Sequence, residues 1–149
     1  MNRREFSALL PMLVAAPALS TAARVPAPQT AALTKLVSGL YSPAPATASP
    51  TAPRISQHYI LGLLPDNIRL EAHATHLVPG APPEAIGHHK HSELWFMREG
   101  EAALMTAGVT RILKAGDMGV CIAGEDHTIT NASKTEPASY FVVTVGLPE

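Results

Sequence analysis

The 149-residue chain has a single cysteine, Cys121, so no disulfide can form within it, and the count leaves the compartment open. It also lacks a basic stripe. Residues 1–54 carry five lysines and arginines against one acid, whereas residues 55–149 carry six against eleven. That mildly acidic second part excludes nucleic acid as a natural partner. No apolar run reaches the roughly 20 residues that a membrane helix needs. The run from Ala8 to Leu19 is interrupted by Pro11 and Pro17. After residue 55 there is no long helical periodicity, and the chain has no internal repeat. What remains is enough for one domain with a real core, built from strands.

The chain opens on an address rather than on structure. Arg3-Arg4 is followed by Glu5-Phe6, a weakly apolar region, and small residues at Ala18-Leu19-Ser20-Thr21-Ala22-Ala23. This order resembles a twin-arginine export signal, which implies a cut between Ser20 and Ala23 and a periplasmic or secreted mature protein without stable membrane insertion. Residues 1–23 are therefore read as a signal peptide. Residues 24–54 are rich in Pro, Ala, Thr and Ser and have too little apolar bulk to bury, so they read as an extended or disordered linker. Within it Leu33, Leu36, Val37 and Leu40 fall at helical spacing, so residues 30–40 are expected to form a short amphipathic helix or a tether.

The domain spans residues 55–149, and its strand signals recur at short intervals. Expected strands cover Ile55–Leu64, Ile68–Val78, the histidine stretch through Met97, Ala102–Thr106, Thr110–Leu113, Gly119–Ile122, His127–Asn131 and Ser139–Val145. Turn clusters separate them at Pro65-Asp66-Asn67, Arg98-Glu99-Gly100-Glu101, Ala107-Gly108 and Ala115-Gly116-Asp117. Many short strands with regular turns predict an all-β sandwich or barrel.

Chemistry concentrates in Gly87-His88-His89-Lys90-His91-Ser92-Glu93-Leu94-Trp95-Phe96-Met97. In an extended strand, side chains alternate, so His89, His91 and Glu93 share a face. Two imidazoles and a carboxylate make half of a divalent-metal shell. The other half is expected from a different strand, where His127 follows a glycine turn and opens a β-prone run. Trp95 and Met97 share the parity of Glu93, so they line the same cavity, fill the barrel core, or both. Phe141 or Tyr140 adds to that wall. His73 and His76 must face opposite ways, and one of them can approach the site. Cys121 reads as a small buried residue, and Asn131 as support for a turn.

Taken together, the two stretches resemble the cupin family. Its first motif has a His-x-His pair, a Glu, and a Gly seven residues beyond that Glu, as Glu93 and Gly100 are here. Its second motif is met by Gly116, Gly124, His127 and Asn131 at every spacing, with Ile122 where the family prefers Pro. The first motif departs. Counted back from Gly100, the family's first His falls on Gly87 and its second on His89. The ligands are therefore either His89, His91, Glu93 and His127, or a set into which His88 enters from a shifted position. The resemblance implies a double-stranded β-helix, or jelly-roll barrel, binding Mn, Fe, Ni, Co, Cu or Zn. It implies dioxygenase-like, isomerase or lyase chemistry on a small oxygenated molecule, or else a non-catalytic module that captures a metal or small ligand. It also implies a homodimer.

Overall fold

The computed structural model describes residues 32–46 and 48–149. The export signal expected at residues 1–23 lies outside them. Among the described residues nine strands follow one another: β1 (Arg54–Leu63), β2 (Arg69–Leu77), β3 (Gly87–His88), β4 (His91–Glu99), β5 (Glu101–Thr106), β6 (Val109–Lys114), β7 (Met118–Cys121), β8 (Asp126–Asn131) and β9 (Ala138–Gly146). Each expected strand is present within a residue or two, except that the histidine stretch is broken. Among the described residues no helix is long and apolar enough to cross a membrane.

The strands form two sheets, one of five in the order β1-β2-β9-β4-β7 and one of four in the order β3-β8-β5-β6. Every strand pair is antiparallel. Alternation decides which side chains meet between the sheets. Along β9, Ala138, Tyr140, Val142 and Thr144 are buried, while Ser139, Phe141 and Val143 are less so. Along β8 the buried set is His127, Ile129 and Asn131, and along β4 it is His91, Trp95 and Met97. Leu77, Trp95, Met97, Leu104, Ile129, Tyr140 and Val142 join one apolar core. This is the all-β jelly roll that the strand pattern and the motif resemblance imply. Gly100 turns β4 into β5 at φ +70, and a side chain there would run into Pro137.

Two features differ from expectation. The histidine stretch is not one strand. β3 pairs with β8, through Gly87 opposite His127, whereas β4 pairs with β7 and β9. The chain therefore changes sheets at His89-Lys90, and Gly124 N donates to His89 O at 2.8 Å across the change. Residues 32–40 are extended, not helical. Leu36 N donates to Leu63 O, and Leu63 N to Thr34 O, both at 2.8 Å, and Ala44 N donates to His58 O at 2.7 Å. Strand β1 is a sheet edge with free backbone groups, and pairing with them satisfies this segment better than a marginal two-turn helix could. Val37 and Leu40, two of the four residues of the expected apolar stripe, are 75% and 93% exposed.

Candidate metal centre

Strand parity brings Glu93 inward from β4, and His127 comes inward from β8. His89, from the crossing between sheets, completes the group. Its Nε2 lies 3.7 Å from Glu93 Oε1, and His127 Nε2 lies 3.5 Å from Glu93 Oε2. The three donor atoms lie within 4.8 Å of one another. His91 Nε2 lies 3.3 Å from Glu93 Oε1, and its ring stacks on His89 with centroids 4.7 Å apart. It belongs to a different group of three, with His89 and Glu149. The four residues expected as ligands are thus neighbours, with Glu93 touching all three histidines. His88 is turned to the surface, where its Nδ1 meets Asp126 Oδ1 at 2.9 Å.

Gly87 explains how this packing is reached. It sits opposite His127 in the β3–β8 register. A Cβ on Gly87 would lie 2.7 Å from His127 Nε2 and 3.0 Å from His89 Nε2. Where the family motif has its first histidine, this chain keeps the space open, and His89 reaches into it from two residues on.

The electrostatics suit ligands. Burial pushes the His127 and His91 pKa values down; nearby His89 lowers the first further, and Arg69 and His89 the second. Neutral imidazoles keep the lone pairs a metal requires. Burial raises the Glu93 pKa, opposed by His89 and His73. His89 Nδ1 meets Glu149 Oε1 at 2.6 Å. Burial would raise the Glu149 carboxyl, but that bond together with the attraction of His89 and His91 outweighs it and holds the group below its usual range. A carboxylate behind a ligating imidazole fixes its tautomer and aims the opposite nitrogen.

Do these residues fit a metal? Bonds of 2.0–2.2 Å at tetrahedral angles separate ligand atoms by about 3.3–3.6 Å, close to the spacings around Glu93. His91 and His127 are buried, and the Nδ1 of each lacks a hydrogen-bond partner. Nitrogen and oxygen donors, spacing and neutral imidazoles all fit a divalent transition metal.

A cavity of about 480 Å³ adjoins the group, walled by His73, Glu84, Trp95, Tyr140 and Val142 among others. Trp95 packs on His127 with ring centroids 5.3 Å apart. Trp95 and Met97 are both in the core, and Trp95 also lines the cavity. Of the two aromatic candidates on β9, Tyr140 is buried and faces in, whereas Phe141 packs on Tyr59. His73 reaches the cavity and His76 is exposed. Cys121 is buried, and burial lifts its thiol to about 11, too high for a nucleophile. Asn131 Nδ2 donates to Val78 O and Glu136 O at 3.0 and 2.9 Å, and its Oδ1 accepts from Ser133 N, which is turn support. Glu149 and Glu84 carried no signal in the sequence, because neither lies near a motif.

Residues 74–144 match a family model described as Cupin domain. No curated protein matches the chain. Solved structures do. An RmlC-like cupin from Shewanella frigidimarina has a TM-score of 0.56 at 19% identity, over 73% of this chain and 86% of that one. A Thermotoga maritima protein described as a predicted oxalate decarboxylase has 0.53 at 19%, over 63% and 81%. A cupin 2 conserved barrel domain protein from Salinispora arenicola has 0.50 at 24%, over 61% and 74%. At these identities the likeness bears on the fold. The matched residues run from β2 to β9 and include His89, His91, Glu93 and His127. Over residues 74–144 this chain is similar to the cupin domain family.

Proposed function

We propose that the domain holds a divalent transition metal through His89, Glu93 and His127, with His91 beside them, and acts on a small oxygenated organic molecule. The reading rests on one observation: two imidazole Nε2 atoms and a buried carboxylate converge beside a cavity of about 480 Å³. A bound metal supplies Lewis acidity or, if redox-active, oxygen chemistry, which covers the dioxygenase-like and the isomerase or lyase readings. The chain's own residues do the rest. His91 and His127 stay neutral and present lone pairs. Glu149 holds His89 from behind. Burial pushes the Tyr140 phenol up to about 12, so it keeps its proton, and Arg54 steadies its oxygen. Tyr140 lines the cavity, and in this reading its hydroxyl donates to a substrate oxygen. Trp95 and Val142 keep the wall dry.

Elemental analysis of the purified protein beside His127→Ala tests the metal. Bound metal in the wild type and its loss in the variant are expected; a wild type that stays metal-free after supply sinks the reading. Gly87, standing where the family's first histidine falls, favours a second reading, a non-catalytic module that captures a metal or small ligand. Oxygen uptake or substrate turnover by the loaded protein separates the two. Export to the periplasm or beyond is supported by Arg3-Arg4 and the small residues up to Ala23. Recovery of the mature chain outside the cytoplasm, abolished by Arg3→Lys with Arg4→Lys, checks it.

A further inference from the structure

A second His/Glu cluster lies on the β1–β2 hairpin, outside the family-matched residues. His58 is paired with His73 in the register of β1 and β2, and Glu71 stands two residues from His73 on the same face. Both imidazoles aim one nitrogen at a single oxygen. His58 Nδ1 lies 3.1 Å and His73 Nδ1 3.4 Å from Glu71 Oε1. The three donor atoms lie within 4.8 Å of one another.

The surroundings divide the carboxylate cleanly. Arg69 takes Glu71 Oε2 and also donates to Thr144 Oγ1 at 2.7 Å, so Oε1 is left to the histidines. His73 Nδ1 is buried and makes no hydrogen bond of ordinary geometry. Burial would raise the Glu71 carboxyl, but His73 and the Arg69 guanidinium hold it at about 2, so it is charged at neutral pH. Separations of 3.1 and 3.4 Å bracket the spacing of about 3.3 Å that 2.0–2.1 Å bonds impose at tetrahedral angles.

The backbone also holds the donors in place. Pairing shifts register between His58 and Ile60, a bulge of the kind that re-aims a side chain. The His58 carbonyl accepts from Ala44 N at 2.7 Å, which pins the strand at that residue. His58 is 55% exposed, so a cation can enter from solvent.

We propose that His58, Glu71 and His73 form a second divalent-cation site, suited to zinc or a metal of like preference, with water in the remaining position. It is separate from the His89, Glu93 and His127 group. The Arg69 guanidinium repels the cation, so this site fills at higher metal concentration than the other.

Zinc and cobalt(II) titrations of the full chain test it, using wild type, His58→Ala, His127→Ala and the double variant. Because His58 is largely exposed, its truncation leaves the barrel folded, and His73→Gln gives a second variant. Two equivalents are expected in wild type, the weaker one absent from His58→Ala and His73→Gln, and none in the double variant. Two equivalents retained by His58→Ala would overturn the site. So would a wild type that saturates at one equivalent removed by His127→Ala alone. One equivalent removed by His58→Ala and kept by His127→Ala supports this site while the other metal reading fails.

Discussion

The two His/Glu clusters hold the same kinds of donor and differ in what stands behind the carboxylate. Glu93 has three imidazoles around it and no guanidinium, and burial drives its pKa up. Glu71 has two imidazoles and the Arg69 guanidinium around it, and His73 and Arg69 hold it at about 2 against burial. The first carboxylate therefore lacks a counter-charge that a dication would provide. The second already has one. They also differ in construction. One cluster needs β4, β8 and the crossing between the sheets, whereas the other needs a single hairpin. A donor set alone does not rank two metal sites; the charge already in place does.

Removing His127 should have the largest effect. His127→Ala is expected to abolish metal retention at the Glu93 group while leaving cation uptake at Glu71 intact, read by elemental analysis after dialysis. Next comes Arg69→Leu, which strips Glu71 of its guanidinium and leaves it only the His58 and His73 rings. Breaking a fully buried pair from one side costs about 3–5 kcal/mol, and this partly buried one less, to be read from denaturant midpoints. An unchanged midpoint would mean that Arg69 does not distinguish the clusters. Glu149→Gln weakens the support behind His89, and loss of such outer support lowers metal affinity by about 10–100-fold. A chelator competition reads it, and cation binding at Glu71 is expected to stay put.

The smallest effect is one of sign. In metal-stripped protein, burial disfavours the charged form of Glu93. Its folded pKa lies above the ordinary value, so its cost is absent below about pH 4.5 and appears as pH rises through the folded pKa. Glu93→Gln should therefore raise the melting temperature of the stripped protein by a few degrees at pH 7, the scale of about 1 kcal/mol. The gain should fade as pH falls toward 4.5. A variant that melts lower at pH 7 contradicts the contrast with Glu71. Separately, the folded chain protonates His91 and His127 less readily than the unfolded chain does. Stripped wild type should thus lose stability from these two rings as pH drops below about 6.5.

Much of this was legible beforehand. The strands were, because an apolar alternation of period two and a glycine or proline turn are local signals that packing did not overrule. His127 and Glu93 were, because motif spacing in a jelly roll fixes how far along a strand each residue sits. The break at His89-Lys90 was not. Nothing in that run marks a change of sheet, since Gly87-His88 pairs with residues some forty positions away. Between helix and tether, residues 32–40 stayed undecided for a related reason. Their helical spacing is real, but the free edge of β1 offered hydrogen bonds that no local pattern reveals. His58, Glu71 and His73 carried no motif at all; only the hairpin register sets them together.

The order of strands, the inward parity of Glu93, Trp95 and His127, and the uneven spread of charge follow from the chain itself, because each depends on near neighbours. Folding alone decided that His89 would fill the space Gly87 leaves, that Glu149 would close in behind it, and that Arg69 would neutralise one carboxylate and not the other. Those outcomes rest on pairings between distant residues, whose distances and burial exist only once the two sheets have closed on each other.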